Sequence, residues 1–405
     1  MNLRITSLLL NIAHAIDHLM LLVFATAVAT IAREFGIGRW EDLMPYTTGA
    51  FVMFGIGSLP SGRLGDLWGR RAMMLVFFFG MGGSTLLISL AQNAWHLSLA
   101  LGVMGAFASI YHPVGIPMLL RHTSKPGITI GVNGMAGNLG IAAAAISTGF
   151  FIQYAEWRIA FIVPGIISIA CGLLFMKFAP VENGAPAKRT VTQIELPPAT
   201  RNKVFLVMTM LAITISILFN FTTNGNGELL KARLPILVEQ PALLGMLLAV
   251  VYGLSSLSQL AVGRLIDRFP LRNVMLGIIA CQGPVFLLAA FSPGWKLYLA
   301  MVVFMALVFG SIPFTDAIIA RFVDDSIRSR VSGMRVAVSF GVSSMAVWAL
   351  GPAVKAAGFD FALLVLGAVA ICSLFITWQL PDERSIRKAS AAHSPQAARA
   401  EDRPM

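Results

Sequence analysis

Charge is what this sequence has least of. Only 12% of its 405 residues are charged and 57% are hydrophobic, where a soluble domain carries about 25% charged residues. The deficit runs the whole length, with a mean hydropathy of +0.78, which excludes a soluble domain on a single anchor. The apolar runs are continuous and reach the about 20 residues a helix needs to cross ~30 Å of hydrocarbon. They are not the short alternating segments of a porin-type barrel. Cysteine is scarce as well: Cys171, Cys281 and Cys372 are far apart in predicted spans, so neither a disulfide framework nor a metal site is expected, and they read as buried apolar side chains. The chain has no P-loop, no His-Glu-x-x-His and no Cys-x-x-Cys. With no soluble stretch long enough for an ATPase domain, energy must come from an ion gradient or the substrate's own. No cofactor is expected.

What is there is an all-α polytopic membrane protein. Twelve spans are predicted: 7–31, 43–61, 73–92, 97–120, 127–152, 159–178, 204–223, 243–262, 274–292, 297–320, 332–352 and 361–380. Asn93-Ala94-Trp95 and Pro293-Gly294-Trp295 mark tight turns with an aromatic suited to the interface. Residues 1–180 and 204–380 form two six-helix bundles; 181–203, with Pro180, Pro186, Pro197 and Pro198 in or beside it, reads as a cytoplasmic linker, and 381–405 as a disordered tail. Arg4 before an apolar run has the look of a signal peptide, but Asp17 and two histidines interrupt that run, so it reads as a retained first helix.

Orientation follows from the basic residues. With the N-terminus in the cytoplasm, Arg33, Arg39, Arg158, Lys231, Arg233, Lys296 and Lys355 fall outside and the other 23 of the 30 Lys and Arg fall inside. That bias places both termini in the cytoplasm of a cell membrane. It also accounts for the net charge of +11 through topology and anionic headgroups rather than nucleic acid.

The chain is one unit written twice. Gly62-Arg63-Leu64-Gly65-Asp66 continues through Gly69, Arg70 and Arg71, and is echoed from Gly263 through Asp267 to Arg272, matched residues standing 201 positions apart. Ser109-Ile110 echoes in Ser311-Ile312, and Gly131 and Gly140 echo in Gly333 and Gly341. Two parallel repeats imply a pseudo-two-fold axis along the membrane normal and a central cavity between the halves.

The pattern G-x-L-x-D-x-x-G-R-R from Gly62 to Arg71 resembles the signature loop of the major facilitator superfamily, and the resemblance covers residues 1 to about 380. It implies a fold of two six-helix pseudo-symmetric halves and transport rather than catalysis. A narrower resemblance, to fosmidomycin-resistance-type drug exporters, rests on Ala13-His14-Ala15-Ile16-Asp17-His18, Ser109-Ile110-Tyr111-His112-Pro113 and Gly137-Asn138-Leu139-Gly140. Two departures weaken it: helix 5 has Ile141-Ala142-Ala143-Ala144-Ala145 where antiporters carry a Gly-Pro pair, and the usual Arg of helix 4 is missing. The superfamily resemblance implies that Asp66 meets the start of helix 11 near Ser332 and Gly333, latching the cytoplasmic side. By symmetry Asp267 would meet the start of helix 5 near Thr129. The plainer alternative is a pair of solvated charged turns.

Helix 1 carries the densest polar set. At ~100° per residue Asn11, His14, Asp17 and His18 fall within an arc of about 120°, and Asp17 lies roughly 15 Å inside. An ionisable residue at that depth is a functional-site hypothesis by default, here a site that takes up and releases a proton. The alternative is a hydrogen-bond cluster tying helix 1 to its neighbours. In helix 4, His112 is a cavity candidate, while Pro113 and Pro117 kink the helix. Asp316 in helix 10 is either a transport residue or the partner of Arg321 or Arg335. The glycines of helix 5 are packing residues, while Asn138 is a cavity candidate. Asn220, with the polar run from Thr222 to Glu228, either faces the outer vestibule or begins an ordinary exit loop.

These residues specify a monomeric secondary transporter that exports a small molecule against protons by alternating access. Proton-coupled uptake is the second reading. A membrane sensor without flux and a membrane enzyme are the remote ones.

Overall fold

The computed structural model describes residues 3–121, 123–181, 198–323 and 325–381; most of the expected linker and nearly all of the expected tail lie outside them. Helices follow in the expected order: α1 (Leu3–Glu34), α2 (Thr48–Leu67), α3 (Arg70–Ser89), α4 (Ala94–Leu120), α5 (Pro126–Tyr154), α6 (Ile159–Phe178), α7 (Pro198–Arg233), α8 (Pro241–Arg268), α9 (Leu271–Ala290) and α10 (Gly294–Ile319). The helical run Asp325–Trp378 breaks at Gly358, where φ is 77° and ψ 171°, dividing it into α11 over 325–357 and α12 over 359–378. Among the described residues ten helical segments are long and apolar enough to cross a membrane. The last of these contains both α11 and α12. α2 has the length, at 20 residues, but its glycines, serines, Arg63 and Asp66 dilute its hydropathy.

Each charged turn is held by its own half. Gly69 adopts φ 88° between α2 and α3, a backbone conformation that side chains with a Cβ resist. Arg71 then donates to the carbonyls of Met176 and Ala179 at the end of α6, at 2.6 and 3.1 Å. Its repeat partner Arg272 donates to the carbonyl of Trp378 at the end of α12, at 3.0 Å. In both halves an arginine thus caps unsatisfied C-terminal carbonyls.

Two seams join the halves, α5 against α8 and α2 against α11. Along the first, a Cβ on Gly131 would stand 2.7 Å from the backbone oxygen of Gln259, and one on Gly263 2.7 Å from that of Gly127. Along the second, Ser58 Oγ donates to the carbonyl of Gly333 at 2.9 Å, and Phe54 stacks on Phe340 with ring centroids 4.1 Å apart.

Two expectations are corrected. Cys171 is buried, but Cys281 and Cys372 are exposed on the outer surface of the helix bundle, because a membrane protein tolerates apolar groups on both its faces. The polar run of α7 is no exit loop: the helix continues to Arg233, and Asn224, Asn226 and Glu228 are buried within it.

On the face opposite the charged turns, five of the seven basic residues assigned to the outside are matched by acids. Lys355 meets Asp42 at 2.6 Å, Arg158 meets Glu34 at 2.7 Å, and Lys231 meets Glu228 at 2.8 Å, while Arg39 pairs with Glu41 and Arg233 with Asp360. A vestibule of about 780 Å³ opens there, lined by Arg33, Glu41, Gln153, Glu228, Lys231 and Asp360 among others.

Candidate functional site

The site is built where the backbone of α4 leaves regular geometry. Ser109-Ile110 forms a turn, and Tyr111–Gly115 winds as one π-helical turn rather than a simple proline kink. Pro113 removes a backbone donor inside it, and π-turns inside α-helices recur at functional sites. The wider turn aims Tyr111 and His112 at α1. There His14 stacks on Tyr111 with centroids 4.7 Å apart and meets His112 edge-on at 5.2 Å. Gly137 of α5 makes room for this: a Cβ there would lie 2.8 Å from His14 Cε1.

Asn133 of α5 is the organiser. Its side-chain amide donates to Asn11 Oδ1 at 2.9 Å and to the Tyr111 hydroxyl at 2.7 Å, and that hydroxyl donates to the carbonyl of Leu10 at 2.9 Å. Its own carbonyl lies 2.8 Å from His14 Nδ1. A carbonyl only accepts, so His14 carries a proton on Nδ1, and in the neutral ring its Nε2 accepts from His18 Nε2–H at 3.0 Å. Asp17 is sealed, 0% exposed, with its Oδ2 3.9 Å from His112 Nε2. Both Asp17 oxygens, both His112 ring nitrogens and His18 Nδ1 are buried without a hydrogen-bond partner.

These groups border a cavity of about 90 Å³ between the halves. From the first half, His14, His18, His112 and Asn138 reach its wall. From the second, Ser216, Gln259, Asp316, Arg335 and Ser339 do so, and Phe219 and Phe340 supply apolar surface. Arg335 of α11 pairs with Asp316 at 2.9 Å and donates to the Thr315 hydroxyl. Asp316 therefore has Arg335 as partner; Arg321 instead donates to the carbonyl of Ile266.

Other predicted residues fall elsewhere. Asn11 belongs to the Asn133 cluster, off the cavity wall. Asp17 stands behind the imidazoles rather than on the wall. Asn220 is buried in a knot with Ser216 and Ser343, donating to Ser343 Oγ at 3.2 Å, which fits neither a cavity nor a vestibule role. Pro117 opens the regular turn Ile116–Leu120 after the π-turn. In the gate motif, Asp267 accepts from the backbone N–H of Gly127 and Ile128 at 3.1 and 3.0 Å, at the start of α5 just before the expected Thr129. Gly62 and Arg70 are buried, while Asp66 is exposed within electrostatic reach of Arg70 and of Arg330 at the start of α11.

Asn133 and Gln259 are site residues to which the sequence alone assigned no role, and Arg335 was offered only as one of two possible partners for Asp316. A polar side chain inside an apolar span was the available signal for each. His14, His18 and His112 also place ligand nitrogens within 4.8 Å of one another, a cluster drawn from two helices that no local motif announces.

With this geometry in hand, the comparisons are direct. The model of the Major Facilitator Superfamily matches residues 10–240. This chain belongs to the Major Facilitator Superfamily. It is 26% identical over 248 residues to the multidrug resistance protein MdtG of Klebsiella pneumoniae, across 59% of this chain and 58% of that protein. It is 28% identical over 138 residues to the puromycin resistance protein pur8 of Streptomyces alboniger, across 33% of this chain and 27% of that protein. These matches span less than two thirds of either relative. In fold it resembles the proton:xylose symporter XylE, with a TM-score of 0.73 at 13% identity over 94% of this chain and 96% of that one. It also resembles the human organic anion transporter MFSD10, with a TM-score of 0.72 at 13% identity over 93% and 100%. The chain is thus a polytopic membrane protein with the fold of that superfamily, two six-helix halves.

Proposed function

We propose that this chain is a monomeric secondary transporter of a cell membrane, with both termini cytoplasmic, that exports a small molecule in exchange for protons by alternating access. The observation that carries the reading is the cavity between the halves, with an ion pair, Asp316–Arg335, on its wall. Inter-half contacts stand on both sides of it: Asp267 on the start of α5 at one face, Lys355–Asp42 at the other. Rocking the halves breaks one set while the other holds.

Asp316 is the carboxylate proposed to carry the coupling proton. It lines the cavity, whereas Asp17 is sealed behind the histidines. Arg335 from α11 pairs with it, and the same cavity is lined by His112 from α4, by His14 and His18 from α1, and by Asn138, Ser216 and Gln259 from α5, α7 and α8. Protonating Asp316 releases Arg335 from its partner and changes the charge offered to a substrate. Breaking a buried pair by removing one partner costs about 3–5 kcal/mol, so the exchange is energetically consequential. Relatives named for puromycin and multidrug resistance favour export. The missing Gly-Pro pair in α5 and the fold likeness to a proton:xylose symporter favour uptake as the second reading.

Susceptibility and efflux in cells expressing wild type or Asp316→Asn test this. Wild type should confer resistance to some compound, with efflux collapsing when the proton gradient is dissipated. Asp316→Asn should lose the gradient dependence. Greater sensitivity of wild-type cells would replace export by uptake, and identical gradient dependence in the variant would remove Asp316 as the coupling site.

A further inference from the structure

We propose that His14, His18 and His112 form a binding site for a first-row divalent transition-metal ion of the zinc class, at the wall of the central cavity. His14 and His18 are one helical turn apart on α1, so both project to the same side, and the π-turn of α4 brings His112 across to them. Their ligand nitrogens all lie within 4.8 Å of one another. His14 Nε2 and His18 Nε2 are 3.0 Å apart, close to the edge of about 3.3 Å in a tetrahedron of ~2.0–2.1 Å zinc–nitrogen bonds.

The surroundings are those a metal-bound imidazole needs. Such a histidine almost always donates its other ring N–H to a carbonyl or carboxylate, which sets the tautomer. His14 does so, from Nδ1 to the carbonyl of Asn133 at 2.8 Å; its Nε2 lone pair, which otherwise accepts the His18 Nε2–H, faces the cluster, and an ion takes the place of that proton once His18 holds its own on Nδ1. Asn133 is itself fixed through Asn11 and Tyr111. His112 Nε2 lies 3.9 Å from Asp17 Oδ2. With Nε2–H given to Asp17, Nδ1 is the nitrogen left to bind the ion.

The unsatisfied atoms point the same way. Both His112 nitrogens, His18 Nδ1 and both Asp17 oxygens are buried without partners, an unusual concentration of orphaned polar groups. One cation bound by the three rings, with Asp17 as counter-charge behind them, gives His112 and Asp17 a purpose together. Three imidazoles are a donor set for zinc, nickel or cobalt and a poor one for magnesium or calcium, which take oxygen ligands. The three rings face the cavity while Asp17 does not, so a fourth coordination position is open on the cavity side to water or to a small chelating solute. On the transporter reading above, the cargo is then the ion or its small chelate.

Tag-free purified protein in detergent, titrated with Co²⁺ at neutral pH, tests the site directly. Wild type should bind one ion per chain with the visible absorption of tetrahedral cobalt, and Zn²⁺ but not Mg²⁺ should abolish that spectrum. Asp17→Asn should weaken binding about 10- to 100-fold, as loss of an outer-shell partner does. His14→Gln, His18→Gln and His112→Gln should each weaken it further, and His96→Ala, outside the cluster, should leave it unchanged. The glutamine variants keep a hydrogen-bonding side chain, and elution as one species checks their fold. Absence of the tetrahedral spectrum in folded wild type, or its persistence in the triple glutamine variant, overturns the proposal: the His14–His18 contact is then a neutral imidazole pair. Proton-driven export by a wild type that binds no ion would leave the transporter reading standing without the metal. Metal binding in vesicles with no flux of any kind would do the reverse.

Discussion

The two seams between the halves are made of repeat-equivalent helices and are filled to different degrees by backbone and by side chains. Along α5–α8, backbone lies against backbone: a Cβ on Gly131, Gly245 or Gly263 would come within 2.7 Å of a carbonyl oxygen of the facing helix. Along α2–α11, backbone comes close at Gly55 and Gly333, where a Cβ would stand 3.0 Å from Gly341 N and 2.9 Å from the Ser58 carbonyl oxygen, but phenyl rings and a serine hydroxyl fill the space between, and Gly341 has nothing within 4 Å of where its Cβ would be. Between helices in lipid, packing replaces the hydrophobic effect. At Gly131, Gly245 and Gly263 the α5–α8 seam sets backbone against backbone, which cannot readjust as a side chain does, while stacked rings can repack. The expected consequence is that α2–α11 changes more than α5–α8 when the halves rock.

The sharpest way to break that comparison is to add volume to both seams. Gly131→Val should prevent accumulation of monodisperse protein, because overpacking already costs about 1–3 kcal/mol where neighbours can move and here the neighbour is backbone. Gly341→Ala should melt within about 0.5 kcal/mol of wild type. Equal damage from both, measured by thermal melting and gel filtration, would remove the asymmetry.

A smaller effect is expected at the latches. Asp267 caps the start of α5 through two N–H bonds, and losing an N-terminal cap costs about 0.5–2 kcal/mol. Asp267→Asn should therefore raise the alkylation rate of a cysteine placed at Ser339, in a cysteine-free background, from roughly twofold to thirtyfold. Asp66→Asn, at an exposed carboxylate with charged neighbours, should change it less. A larger response from Asp66 would put the principal latch on the other seam.

Smaller again is the loss of one ring from the flexible seam. Phe340→Leu forfeits a stack worth about 0.5–1.5 kcal/mol beyond its area and should lower the melting temperature by a few degrees at most without abolishing export. Least of all, Cys281→Ser and Cys372→Ser, at exposed positions on the bundle surface, should leave transport unchanged. In wild type these two should react with a membrane-permeant thiol reagent while buried Cys171 stays unmodified.

By itself the sequence determined the class, the helix order and the repeat. Those are written in continuous hydrophobicity and in a charged motif that recurs 201 residues on, which are local or strictly periodic properties. The polar face of helix 1 was legible for the same reason: residues three and four apart must share a side. The capping of each half's last helix by Arg71 and Arg272 joins residues more than 100 apart and is a tertiary contact. Contacts between distant spans were decided only in the tertiary structure. Pairing Asp316 with Arg335 rather than Arg321 depends on which way α11 turns. Placing Asp17 behind the histidines, and Asn220 in a knot with Ser216 and Ser343, depends on how α1 and α7 rotate against their neighbours. The stronger observed cap at Asp267, in the less perfect copy of the loop, follows from how closely α8 approaches α5. The gathering of three imidazoles required a π-turn in α4 and a glycine at 137 opposite, features whose effect exists only once the helices are packed.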